Sequence, residues 1–359
     1  MSTSIFDKDP SFESLSNFWL EQRKLNLKYS YKNENYSMVR HIIKHIGDKK
    51  VADISPADID VMVAALSADN PNTHKPASKS FLDKLVNITR SIFDMAVDNH
   101  IITVNPIRST KQIVPKNAPK KDVTAISREQ QELIVNTPHR CQTAALIMML
   151  AGLRVSELLA LEWCNVDLKN GLLRVTQHAV RVDSNKFAIE SATKNGHCRC
   201  VPIPSVLALF LLNSKKNAIS PLVFPKTDGN LNTPSSWKSA WTSYTNTLNY
   251  EYYVREFPGI SKFDPNGYPK MININPHQLR HTYATLHYEA GTDPLTTSKL
   301  LGHSGVQLTL DTYTHLDEQY KKLDISNFNN FLTDEFCNNK ELNKQESNTL
   351  QAEQIDTKG

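Results

Sequence analysis

Apolar residues in the first hundred positions return every three or four residues. Phe12, Leu15, Phe18 and Trp19 form one such stripe, and Leu82, Leu85, Ile88, Ile92 and Ala96 form another. That spacing is the repeat of an α-helix with one buried face, so it predicts a helical N-terminal region. A turn-rich stretch, "SADNPNTHKPASKS" (67–80), separates two helical segments. Asn105-Pro106 is expected to end the last helix, because a residue before proline is biased away from helical geometry.

The pattern changes near Ser127. "SREQQELIVNTP" and the apolar "AALIMMLAG" read as helices, whereas "GLLRVTQHAVRV", "FAIESATK" and "CRCVPIP" are short β-branched runs that read as strands. Asn195-Gly196, between the last two runs, is a two-residue hairpin signal, since both residues tolerate positive φ. Helical patterns resume at about Ser235. After Leu332 the chain is polar and poor in aromatics, which predicts a segment disordered in isolation. The fold expected is mainly α with a small antiparallel β-sheet. A chain of 359 residues is long for one core and suggests two domains. Their expected bounds are 1–110, helical, and 126–332, α+β, joined by a linker at 111–125 and followed by a tail at 333–359.

Charge sharpens this division. The linker "KQIVPKNAPKKDV" has two prolines and carries Lys111, Lys116, Lys120 and Lys121 with no acid before Asp122. It reads as an extended basic connector, suited to lying along a charged partner, or as a solvated loop. The net charge is +4, but six acids against three lysines in 333–359 leave 38 bases and 31 acids, or +7, on the rest. That surplus is compatible with a polyanionic partner and does not by itself require one. No apolar run is long enough to span a bilayer, and "MSTSIFDKDPSFESL" lacks the features of a secretory signal. Five scattered cysteines suit a reducing, cytoplasmic setting. "HCRC" (197–200) has no second ligand pair at a metal-binding spacing.

Three motifs carry candidate chemistry. In "NPHQLRHTYAT" (275–285), Asn275 and Pro276 make a good helix start. His277 and Arg280 then share a face near the positive end of that helix, where an anion is favoured. A zinc helix of the HExxH kind is disfavoured, because Gln278 stands where the glutamate base would be. In "AGLRVSELLAL" (151–161), Arg154 lies in a tight helix-to-helix turn. There Ser156 could cap the second helix, and Glu157 could hold Arg154 or simply favour the helix dipole. In "LLGHSGVQLTLDTYTHL" (300–316), Gly302 stops a helix, His303 stands in the break and Tyr313 follows. A lone tyrosine in such a place is usually a half-buried packing residue.

Taken in order, Arg154 in "GLR.SE", Lys194 before the hairpin turn, "H..RHT" at 277–282, "LGH" at 301–303 and Tyr313 resemble the signature of the tyrosine recombinase (phage integrase) family. The resemblance covers about 120–332. More loosely, "FWLEQRK", "HIGDKKVADISPADI" and "AVDNHIITVNP" resemble the helical core-binding domain of integrases. It implies a two-domain architecture, a helical core-binding domain plus an α+β catalytic domain, forming a C-shaped clamp on DNA. The activity implied is strand cleavage and rejoining through a 3′-phosphotyrosyl link, with neither metal nor other cofactor.

Residue by residue, the resemblance makes Tyr313 the nucleophile, Arg154 and Arg280 the anion clamp and Lys194 the general acid. His277 becomes an acid/base or hydrogen-bonding group, and His303 a donor to a phosphate oxygen. Glu157 has a supporting role, and His281 and His315 are structural or lie behind the site. The implied partners are double-stranded DNA with inverted core sites and a homo-tetramer assembled on it from monomers, with room for an accessory DNA-bending or directionality protein. The implied location is the cytoplasm, at the nucleoid when DNA is bound. A chromosome-dimer resolvase, a type IB topoisomerase and a DNA-binding regulator without catalysis are the competing readings. Two departures stand out: only about ten residues precede the first helix, and "NYEYYVREFPGISKFDPNGYPKMI" (249–272) is long and aromatic for its place.

Overall fold

The structure, a computed structural model, describes residues 9–24, 29–70, 73–107, 114–119, 124–191, 198–256, 272–302 and 305. It divides into two compact units. The first comprises Met1–Val123 with Ala179–Ile189 and Asn232–Trp237, and the second comprises Thr124–His178, Glu190–Leu231 and Lys238–Gly359.

Helices α1 (Phe12–Lys24), α2 (Tyr29–Ile46), α3 (Pro56–Ala68) and α4 (Lys79–Asp98) build the first unit. The two apolar stripes meet there. Phe12, Leu15, Leu82, Leu85 and Ile92 are fully buried, the Phe12 and Phe93 rings lie 5.2 Å apart, and Ile88 packs partly buried against them. Ser55 and Asp58 close a capping box on α3, with Ser55 N–H donating to Asp58 Oδ2 at 2.9 Å. Ser78 caps α4 by accepting from Phe81 N–H at 3.3 Å. That helix stops at Asp98, well before Asn105-Pro106. Asn99 donates its side-chain N–H to Met95 O at 2.8 Å and His100 adopts φ +59°, so a capped left-handed turn ends the helix before proline can act. Within the expected linker, 114–119 forms a turn. Ala118 N–H donates to Pro115 O at 3.1 Å, Val114 and Ala118 are buried in the first core, and Lys116 is exposed to solvent. Lys111, Lys120 and Lys121 lie outside the described residues.

In the second unit come α5 (Arg128–Asn136), α6 (Gln142–Leu150), α7 (Val155–Leu159) and α8 (Ser205–Lys216). They are followed by α9 (Pro234–Glu256), α10 (Pro276–Glu289) and α11 (Pro294–Leu301). The apolar "AALIMM" makes α6 the central helix, with Ala144 to Met149 all buried, packed against α5, α8 and α10. A short β1 (Val166–Asp167) precedes four strands that fall in the β-branched runs: β2 (Leu172–Val175), β3 (Gln177–Asp183), β4 (Lys186–Ser191) and β5 (Arg199–Pro202). Most of β3 and β4 belongs to Ala179–Ile189, the segment grouped with the first unit. The pairing differs from the expectation. β5 runs antiparallel to β2 in a sheet ordered β1-β2-β5, while β3 pairs with β4. A β4–β5 hairpin around Asn195-Gly196 is therefore absent among the described residues, and Asn195 and Gly196 themselves lie outside them. The register explains the choice. Pairing with β2 places Val201 opposite Leu173, and both side chains are fully buried. On α9, Asn249 accepts from the Ile272 N–H at 2.7 Å and donates to its carbonyl at 2.6 Å, which pins the chain where it re-enters before α10. Residues 257–271, the middle of the aromatic segment noted above, lie outside the described residues.

Candidate functional site: an arginine cluster around Glu157

Gly152 follows α6 with φ +64°, a left-handed turn that reverses the chain and delivers Arg154 to the first position before α7. Arg154, and not Ser156, is the N-cap residue. The Glu157 side chain reaches back and accepts from Arg154 N–H at 2.8 Å. Glycine is required in the turn twice over, since a Cβ there would sit 2.6 Å from the Tyr283 ring. On the other side of the pocket, Asn275 accepts from His277 N–H at 2.9 Å and Gln278 accepts from Asn275 N–H at 2.9 Å, so α10 starts where the sequence predicts. One turn on, Arg280 points inward and is buried.

Glu157 is the hub. Its side chain is 2% exposed and accepts four hydrogen bonds. Oε1 takes Arg154 Nη1 and Arg199 Nη1, both at 2.9 Å, and Oε2 takes Arg154 N–H at 2.8 Å and Arg199 Nη2 at 2.7 Å. Arg280 Nη1 stands 3.9 Å from Oε2. The three guanidinium groups also divide the last carbonyls of α11 and its cap among themselves. Arg199 Nε donates to Leu300 O at 2.7 Å, Arg280 Nη2 to Leu301 O at 2.6 Å and Arg154 Nη2 to Gly302 O at 3.1 Å. Arg280 Nη1 adds a 2.6 Å bond to Gly152 O. The negative end of the α11 dipole and its terminal carbonyls thus receive three cations.

Three positive charges against one negative leave the cluster at +2, a surplus that an anion would neutralise. Burial alone would discourage ionisation of Glu157, but the Arg199 hydrogen bonds and charge, followed by those of Arg154, hold its carboxyl down at about 2. Burial first, and the neighbouring Arg154 charge second, bring Arg280 down to about 9, so it remains protonated at neutral pH. Arg154 is the open member, with its side chain 32% exposed against 4% for Arg280 and 9% for Arg199. Two of its five N–H donors are used in these contacts, which leaves the others for a ligand.

His277 is exposed at the edge of this field, and desolvation, then the Arg280 and Arg154 charges, push its ring below the ordinary imidazole value. That shift favours the neutral ring near neutral pH. His281, four residues on, meets it edge to face at 5.3 Å. Burial, His277 and Arg280 hold His281 at about 4, and its buried Nδ1 makes no hydrogen bond among the described residues. The pair is arranged as packed rings. No group of three His, Cys, Asp or Glu side chains that could hold a metal is present among the described residues.

The structure thus brings together Arg154, Glu157, Arg280 and His277. Lys194, His303 and Tyr313 lie outside the described residues, although α11 and its Gly302 cap end on the residue before His303. Arg199 was missed by sequence reasoning. The signal was present in strand alternation: Arg199 and Val201 share the inward face of β5 while Cys200 and Pro202 face out. An arginine at an inward strand position needs an anionic partner.

Comparison with known proteins places this geometry. Residues 118–320 match the model of the phage integrase family, and residues 11–66 match that of the phage integrase N-terminal SAM-like domain. The first of these covers more than half of the chain. The chain belongs to the phage integrase family, the tyrosine recombinases. A XerC-like tyrosine recombinase of Caldanaerobacter subterraneus subsp. tengcongensis is 28% identical over 265 residues, 70% of this chain and 66% of that protein. The ICEBs1 integrase of Bacillus subtilis is 25% identical over 321 residues, 85% of this chain and 79% of that protein. Among solved structures, the Tn1549 transposon integrase in complex with transposon right end DNA superposes with a TM-score of 0.70 at 17% identity. That match covers 89% of this chain and 99% of the other, and it establishes the shared fold. The chain spans 56–66% of the length of several curated relatives it matches.

Proposed function

We propose that this protein is a site-specific DNA recombinase of the integrase type, which cuts and rejoins strands through a covalent tyrosine link. The observation that carries the reading is the pocket itself: a solvent-facing Arg154, backed by Glu157 and Arg280, at the end of the helix that leads to His303. Its occupant is a backbone phosphate of duplex DNA. A phosphodiester gains negative charge on its non-bridging oxygens in the transition state, and planar, permanently charged guanidinium groups suit that charge.

The chemistry balances without a cofactor. The Tyr313 oxygen attacks phosphorus as its proton passes to a neutral base, His277 or solvent, a 3′-phosphotyrosyl bond forms, and the bond from phosphorus to the 5′-oxygen breaks. Lys194 protonates the departing 5′-oxygen. A free tyrosine has a pKa of about 10, so the phenol needs the surrounding positive field to react near neutral pH. His277, neutral there, offers a hydrogen bond or accepts a proton, and His303 donates to a phosphate oxygen. The new ester retains the energy of the old one, and a 5′-hydroxyl from another strand reverses the step with no nucleotide consumed. Two subunits on inverted core sites and four in a synapse fit this exchange, with an accessory DNA-bending or directionality protein compatible with it. No helix among the described residues is long and apolar enough to cross a membrane, and we place the protein in the cytoplasm, at the nucleoid when bound to DNA.

The likeness to the ICEBs1 and Tn1549 integrases favours service to a mobile element. The XerC-like relative supports a chromosome-dimer resolvase as the second reading. A nicked suicide duplex tests the chemistry: the wild-type chain should become covalently attached, and Tyr313→Phe should bind the same DNA with nearly unchanged affinity and form no adduct. Normal adduct from Tyr313→Phe defeats the assignment of the nucleophile. Relaxation of supercoils with no recombinant product would instead indicate a topoisomerase.

A further inference from the structure

Arg199 has no role in the reading above, yet it is among the most constrained cations of the second unit. It lies on β5, opposite Val175 of β2, with its side chain turned inward and 9% exposed. Both of its terminal nitrogens grip the Glu157 carboxylate, and its Nε holds the Leu300 carbonyl. The guanidinium also lies close against the helix cap: a Cβ on Gly302 would meet Arg199 Nη1 at 3.1 Å and Cδ at 3.3 Å. Gly302 itself has φ +65°, so glycine there serves both the left-handed cap and the space for the arginine.

We infer that Arg199 is a positioning residue that locks two halves of the pocket to each other: the α7 start that carries Arg154, and the α11 end that leads to His303. The inference rests on the recombinase reading of that pocket. Donors and acceptors can be counted. Glu157 has about four lone-pair directions, and Arg154 fills two of them. Without Arg199 the other two are empty, and the carboxylate can swing to take more of Arg154's donors away from a ligand. The same loss releases the Leu300 carbonyl, so the α11 end keeps two of its three arginine contacts. One guanidinium therefore transmits the position of β5 to both sides. Lysine cannot replace it, because a single ammonium cannot span two carboxylate oxygens and a carbonyl on a third element in fixed directions. Sequence adds a further link. Lys194 lies five positions before Arg199, so the strand anchored by Arg199 is also the one that leads back to the proposed general acid.

Arg199→Lys and the uncharged Arg199→Gln test this in the full-length chain, through three measurements: duplex affinity, adduct rate on the suicide substrate, and amide hydrogen exchange by peptide. A positioning role predicts affinity within about threefold of wild type and an adduct rate lower by about 100-fold, since a misplacement on the order of 1 Å carries that penalty. It also predicts exchange at least roughly tenfold faster in peptides covering 152–158 and 294–302, with 276–289 unaltered, as expected for a local opening. Wild-type adduct rate despite faster exchange would overturn the inference. So would unaltered exchange, and so would a loss of affinity as large as the loss of rate, which would make Arg199 a DNA contact. A wild-type chain that forms no adduct defeats the recombinase reading, and the exchange result then decides Arg199 by itself.

Discussion

The buried carboxylate of Glu157 offers a quantitative test, because its ionisation is coupled to folding. In the folded protein it titrates at about 2 against an ordinary 4.5. A tenfold change in an acid dissociation constant is worth about 1.4 kcal/mol, so the ionised carboxylate contributes about 3 kcal/mol at neutral pH. The folded value is the lower one, so the unfolded chain binds the proton first on acidification. The contribution is complete above 4.5 and is lost as pH falls toward 2. Glu157→Gln keeps the shape, removes the charge and leaves three guanidinium groups with no counter-ion in the cluster. Urea unfolding of wild type and variant should differ by about 3 kcal/mol at pH 7 and by about 2 kcal/mol at pH 3.5, where part of the wild-type advantage has already gone. Other carboxylates titrate in both proteins and cancel in the difference. A gap that stays constant between the two pH values, or one below about 1 kcal/mol at pH 7, would refute the view that Glu157 organises the pocket as an ionised hub.

Two further tests address the turn and the linker. Gly152→Ala should lower stability by about 3 kcal/mol, from a left-handed φ that disfavours a side chain and from the 2.6 Å approach to Tyr283; thermal unfolding measures it, and a change under about 1 kcal/mol would mean the turn relaxes at little cost. Replacing Lys111, Lys116, Lys120 and Lys121 by alanine should weaken duplex binding and reduce the slope of log affinity against log salt by about 0.9 for each phosphate contact removed. An unchanged slope in a salt titration would show that this stretch does not touch phosphate.

Much of the architecture is legible along the chain. The stripes of α1 and α4, the capped start of α10 at Asn275-Pro276 and the stop of α11 at Gly302 follow from spacing and backbone preference acting over a few residues. The ordered motifs likewise point to Arg154, Lys194, His277, Arg280, His303 and Tyr313, with Glu157 in support. Of these, Arg154, Glu157, His277 and Arg280 are among the described residues and lie together, and the family the motifs imply is the family found. Local signals mislead where two of them compete. Proline at 106 is a plausible helix stop, but Asn99 and His100 end α4 earlier. Ser156 looks like a cap, but the buried Glu157 makes Arg154 the cap.

Sequence by itself determined the mainly helical character of the chain, the segments that form strands, and the motifs that carry Arg154, His277 and Arg280. Tertiary structure alone decided that β5 pairs with β2, that Arg199 therefore faces inward, and that three arginines share the final carbonyls of α11. The physical reason is range. Periodicity and capping are settled between residues three or four apart, whereas the partner of a strand and the ligands of a buried carboxylate are chosen among residues tens of positions away, by whichever pairing buries apolar surface and leaves no charge unanswered.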